Sequence, residues 1–79
     1  MNLYLVQKLI AATEAQPYGF LKVHGREAAR QVQEMAEAGW VKASGLDPID
    51  PSEAIINEVT KKGYEFFQTL GSLPDSSNQ

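Results

Sequence analysis

The transition at residue 39 constrains the fold most, because a helical pattern stops there and an extended pattern begins at once. Within residues 26–38, apolar side chains recur at intervals of four and three, which places them on one helical face. Gly39 follows, and a glycine at this point favours the left-handed conformation that ends a helix. Residues 40–44, WVKAS, are typical of a β-strand. A helix that leads directly into a strand predicts a mixed α+β domain.

The rest of the chain predicts two further helices and at least one more strand. Residues 2–15 carry a broad apolar stripe and predict the first helix. Residues 54–59 read as a returning strand, and Thr60 is a good N-cap for a last helix over residues 61–70. The segment 20–24 is too short to assign as a strand or as a short helix.

The length of the chain limits it to one core. With 79 residues there is room for one domain, which we place at residues 1–70. Gly71 is expected to end the last helix, and residues 71–79 are expected to form a mobile tail with little to bury.

Composition narrows the class of protein. The chain has no cysteine and one histidine, which argues against disulfides and against thiolate or imidazole-rich metal sites. No segment has the length and apolar character of a signal peptide or a membrane span, so we expect a cytoplasmic protein with no membrane partner. We expect no cofactor.

Two stretches of the sequence resemble segments of a known family of proteins. VQEMAEAGWVKA, at residues 32–43, resembles the end of a recognition helix and the first wing strand of bacterial winged helix-turn-helix regulators. EVTKKGYEFFQTL, at residues 58–70, resembles the segment that follows their second wing strand. The helix-to-wing pattern is similar to that of MarR-like and PadR-like regulators, without pointing to one family. The resemblance covers about residues 3–70 and implies three or four helices with a two- or three-stranded antiparallel wing sheet.

The chain departs from that family in one place. Residues 18–24 must supply both the first strand and the second helix of the motif, and a full helix-turn-helix usually has a longer helix there. The first half of the motif is therefore shortened or irregular.

The resemblance implies a DNA-binding transcriptional regulator that reads the major groove of double-stranded DNA with helix 26–38. Arginine pairs with guanine and glutamine with adenine, so Arg26, Arg30 and Gln33 are the predicted base-reading residues. The predicted phosphate contacts are Lys22, His24 and Lys42.

The alternative is a winged-helix module that binds protein and no nucleic acid. The net charge is −3, whereas most DNA-coating domains are basic. Arg30 has glutamates at helical spacing on both sides, so it can pair along a solvated helix face. The wing loop carries Asp47, Asp50 and Glu53 and no lysine or arginine, so a wing tip of this kind would be repelled by phosphates.

We expect neither an enzyme nor a small-molecule site. His24 has no evident nucleophile or carboxylate partner in the sequence, and the loop carboxylates lack the spacing of a calcium loop. Trp40, Phe66 and Phe67 are interpreted as core aromatics. If the chain forms a homodimer, helices 2–15 and 61–70 are the predicted interface.

Overall fold

The computed structural model describes residues 2–72 as a small α+β domain with three helices and one antiparallel sheet. The helices are α1 (Leu3–Ala15), α2 (Arg26–Glu37) and α3 (Lys61–Ser72). The strands are β1 (Leu21–His24), β2 (Val41–Ser44) and β3 (Glu53–Val59). The three-stranded sheet has the order β1-β3-β2, so the longest strand lies in the centre. The predicted fold class is confirmed at this level.

The short segment that the sequence left unassigned is a strand. Residues 21–24 form β1, which pairs antiparallel with β3 from Leu21 opposite Ile56 to His24 opposite Glu53. The chain then enters α2 directly through Gly25, whose φ of 103° is open to glycine and strained for other residues. Within residues 2–72 there is no helix between β1 and α2, so the second helix of a helix-turn-helix is absent from the described part of the chain.

One face of the sheet is covered by helices and the other is open. Val23, Val41 and Ile56 point into the core, where they meet Val6 and Ile10 of α1 and side chains of α2. The alternate strand residues, including Lys22, His24 and Lys42, are exposed on the opposite face. The core therefore lies between the helices and one side of the sheet.

The N-terminus of α1 is tied to α2 through a buried amide. The Asn2 side chain accepts a hydrogen bond from the Leu5 N–H at 3.1 Å and caps the helix. The Asn2 N–H donates to Oε1 of Gln31 at 2.9 Å, and Gln31 is 5% exposed. The side-chain oxygen of Gln31, on the otherwise apolar face of α2, thus has its hydrogen bond from the N-terminal end of α1.

Gly39 ends α2 as predicted. Its φ is 83°, its N–H donates to the Ala36 carbonyl at 3.0 Å, and the Trp40 N–H donates to the Met35 carbonyl at 2.9 Å. These two bonds form a Schellman motif, in which a left-handed glycine closes the last helical turn. The strand begins at Val41, one residue later than predicted, because the Trp40 N–H is used in the helix cap.

The start of α3 lies against the end of α2. The Thr60 hydroxyl accepts from the Gly63 N–H at 3.1 Å and donates to the Gly39 carbonyl at 2.6 Å, so it caps α3 and holds the two helix ends together. The helix continues through Gly71 to Ser72, contrary to the predicted end at residue 70. Glycine weakens a helix but leaves its hydrogen bonds intact, unlike proline. Residues 73–79 of the predicted tail lie outside the described residues.

Replacing Thr60 by alanine is expected to lower the free energy of unfolding by about 1 kcal/mol, because both hydroxyl hydrogen bonds are lost. For a domain of this size, that corresponds to a fall in Tm of roughly 4–8 °C in a thermal melt. Thr60→Ser is the matched control, because it keeps the hydroxyl and should lose much less. Equal losses in the two variants would show that the hydroxyl is not the source of the stability.

Candidate functional site

The structure divides the predicted DNA-binding residues between two surfaces. Arg26, Arg30 and Gln33 lie on the outer side of α2, where both arginines are exposed and the glutamine is half-buried. The other three, Lys22, His24 and Lys42, lie on the open face of the sheet, since their strand neighbours point into the core. The six side chains therefore come from a helix face and a sheet face.

The wing loop reaches the N-terminus of α2. Arg26 donates from Nη2 to Oδ2 of Asp50 at 2.9 Å, and both side chains are at least half exposed. The Gly25 N–H donates to the Ser52 carbonyl at 2.9 Å, which fixes the end of the loop beside the start of the helix. The helix end predicted to enter a DNA groove thus lies beside an acidic loop of the same chain.

Asp47 organises that loop. Its Oδ1 accepts from the backbone N–H groups of Ile49 at 2.8 Å and Asp50 at 3.2 Å. These backbone hydrogen bonds, from Ile49 and then from Asp50, lower the pKa of the Asp47 carboxyl below its usual value. The exposed Asp47 carboxylate is ionised at neutral pH, and its lowered pKa extends that charge to more acidic pH, so the loop presents negative charge close to Asp50.

The loop carboxylates have separate partners. Glu53 lies 3.6 Å from Nδ1 of His24, well away from the Asp47 backbone contacts. No group of three or more histidine, aspartate or glutamate side chains suited to a metal occurs within residues 2–72. All three loop carboxylates, Asp47, Asp50 and Glu53, are exposed, and their interpretation as solvated loop charges stays a prediction.

The remaining predicted cations differ in their surroundings. Lys42 lies 4.0 Å from Glu58, and both are well exposed, so this pair and the His24–Glu53 pair each add little to stability. Arg30 forms no ion pair with any carboxylate in residues 2–72, although glutamates at helical spacing had suggested one. Among the predicted lysine and arginine contacts, Arg30 and Lys22 are therefore the two without a carboxylate partner in the described part of the chain.

The aromatic residues separate into a packed group and an exposed group. Trp40, Phe66 and Phe67 pack against the core, as predicted, and the Trp40 and Phe66 rings stack with centroids 3.9 Å apart. The exposed group includes Tyr4 and Tyr18, at 69% and 79% of their full exposure, and Tyr64, at 39%. The predicted dimer interface over helices 2–15 and 61–70 stays a prediction; α1 exposes Tyr4 there and α3 exposes Tyr64.

A groove that the sequence did not indicate lies on the side of the domain where α1 ends. It has a volume of about 390 Å³, and its lining combines tyrosines and glutamates from four parts of the chain. Its residues are Thr13, Glu14, Tyr18, Gly19, Asn57, Glu58, Val59 and Tyr64. These residues meet through the tertiary fold, so no local sequence pattern marks them.

Comparison with known proteins returns no match. The chain matches no protein-family model, no curated protein and no solved structure at a significant level. No helix in residues 2–72 has both the length and the apolar character needed to cross a bilayer.

Proposed function

We propose that this chain is a small winged-helix domain that binds a partner protein and does not bind DNA. The order helix, strand, helix, strand, loop, strand, helix supports the winged-helix assignment, with β2, β3 and their loop as the wing. The choice of a protein partner over DNA rests on the contact between Asp50 and Arg26.

Electrostatics favour the protein partner. A phosphate that approached Arg26 would compete with Asp50, whose Oδ2 already lies 2.9 Å from Nη2 of the guanidinium. It would also meet the ionised carboxylate of Asp47. Two like charges 4 Å apart repel by about 1 kcal/mol in water and by more near a protein surface. The start of α2 therefore suits an uncharged or basic partner better than a polyanion.

DNA binding is the second candidate, and Arg30 is the observation that favours it. Its guanidinium is exposed on the outer side of α2 and has no carboxylate partner within residues 2–72. Gln33 follows one turn later on the same side. A protein that used these two residues would contact DNA with the middle of α2 and regulate transcription as the resemblance implies.

A gel-shift titration with mixed-sequence double-stranded DNA at low salt separates the two functions. We expect no shift with the native chain. The variant Asp47→Asn/Asp50→Asn should gain weak, salt-sensitive binding, because it frees Arg26 and removes two negative charges. The control Glu37→Gln/Glu65→Gln makes the same charge change at exposed positions away from the wing loop and should gain less.

Three observations together would support DNA binding instead. If the native chain shifts DNA, the shift weakens steeply with added salt, and Arg26→Ala/Arg30→Ala abolishes it while Tm stays unchanged, then the second candidate is correct.

A further inference from the structure

The groove beside the end of α1 is open to solvent and lined from several elements. Glu14 comes from α1, Tyr18 and Gly19 from the turn that follows it, Glu58 from β3 and Tyr64 from α3. Its volume of about 390 Å³ is ample for one long side chain and the backbone around it. A lining of this kind offers both charged and aromatic contacts to a ligand.

The charge of the groove is negative. Glu14 forms no ion pair with any residue in 2–72, and no lysine, arginine or histidine lines the groove. The nearest cation to Glu58 is Lys42, with its Nζ 4.0 Å from Oε1, and both groups are more than half exposed. A pair so exposed leaves the glutamate largely free to attract a second cation.

The aromatic rings suit the same kind of ligand. Tyr18 is 79% exposed, and its ring stacks on Phe20 with centroids 5.9 Å apart. Tyr64 faces the same groove from α3 and is 39% exposed. Tyrosine faces attract ammonium and guanidinium groups, and the attraction grows when carboxylates lie nearby.

The backbone of the groove adds a third feature, a free strand edge. β1 covers β3 from Glu53 to Ile56, whereas β2 covers it as far as Val59. On the β1 side, residues 57–59 of β3 therefore have no neighbouring strand among the described residues. Asn57, Glu58 and Val59 all line the groove, so their unpaired backbone edge is available to an extended peptide.

We propose that this groove binds an extended segment of the partner protein that carries a lysine or arginine. The segment pairs along residues 57–59, and its basic side chain lies between Tyr18 and Tyr64 with Glu14 and Glu58 around it. The inference rests on the proposed function and adds the chemistry of the partner. The combined negative charge, aromatic faces and free strand edge all point to that one occupant.

The test is a nuclear magnetic resonance titration of the isotope-labelled chain with a blocked pentapeptide that has lysine between two valines. We expect the amide signals of Gly19 and of residues 57–59 to move, because these line the groove. A peptide with norleucine in place of lysine keeps the side-chain length without the charge. It should bind about tenfold more weakly.

Variants of the groove complete the test. Glu14→Gln/Glu58→Gln should weaken binding of the lysine peptide about tenfold, and Tyr64→Ala should weaken it severalfold. The control Glu27→Gln/Glu37→Gln removes the same charge from exposed positions on α2 and should change the affinity less than twofold. Thermal melts of each variant confirm that it is folded.

Two results would overturn the proposal: no movement of the groove signals at about 1 mM peptide, or equal binding of the lysine and norleucine peptides. Neither result bears on DNA binding, which the gel shift measures independently. A DNA shift that depends on Arg30 would instead overturn the proposed function, whatever the peptides do.

Discussion

Replacing Gly63 by alanine is expected to lower the free energy of unfolding by about 3 kcal/mol. A Cβ at this position would overlap the carbonyl oxygen of Trp40 and lie 2.9 Å from the Trp40 carbonyl carbon and 3.0 Å from Cγ1 of Val59. Two of these atoms belong to the backbone, so no side-chain rotation relieves the overlap, and α3 must shift away from the start of β2. The loss is a large part of the stability of a small domain, which is on the order of 0.05–0.15 kcal/mol per residue.

The measurement is thermal unfolding, in which Tm should fall by roughly 12–24 °C. Gly19→Ala is the matched control: no atom lies within 4 Å of the added methyl, and its φ of 78° costs an alanine about 1 kcal/mol. A Gly63→Ala variant as stable as the native chain would mean that α3 does not lie against Trp40 as described.

Replacing Trp40 by alanine is expected to lower the free energy of unfolding by about 2 kcal/mol. The half-buried indole stacks on Phe66 with an interplanar angle of 12° and joins the start of β2 to α3. Its removal exposes the Phe66 ring and loses the stacking energy of about 0.5–1.5 kcal/mol. Urea denaturation should show a lower midpoint with little change in slope, because the fold itself is kept.

Trp40→Phe is the control, since it keeps an aromatic ring against Phe66 and should lose about half as much. If both variants lose the same free energy of unfolding, a phenyl ring at residue 40 gives no stacking energy against Phe66. The Trp40 N–H bond to Met35 is made by the backbone and is kept in both variants.

The three helices and the strands β2 and β3 could be predicted from local signals. The apolar spacing in residues 26–38 and the glycine after it predicted α2 and its cap, and the structure has the helix over Arg26–Glu37 with Gly39 left-handed. Thr60 predicted the start of α3, because the hydroxyl of an N-cap residue acts within one helical turn. Signals of this kind act within a few residues and can be read along the chain.

β1 could not be assigned because its four residues become a strand only by pairing with β3, about 30 positions later in the chain. The sequence predicted that Trp40 is a core aromatic, but it did not predict that the ring stacks on Phe66 of α3. Pattern alone cannot say which of several apolar neighbours a large side chain meets in the finished core.

The candidate functional site depends even more than β1 on contacts between residues that are far apart in the sequence. The sequence predicted that an acidic wing loop would repel phosphates, but it did not predict that Asp50 would reach Arg26, 24 positions away. The groove collects residues from the end of α1, a turn, β3 and α3. Their types are ordinary at each position, and only the tertiary fold brings the glutamates and tyrosines together.

The strand order has a consequence for synthesis of the chain. β1 and β2 are not paired with each other, and each is paired only with β3, which is translated after both. A nascent chain that has left the ribosome only as far as the wing loop holds two strands with nothing to pair with. Sheet assembly must therefore wait for the last strand to emerge.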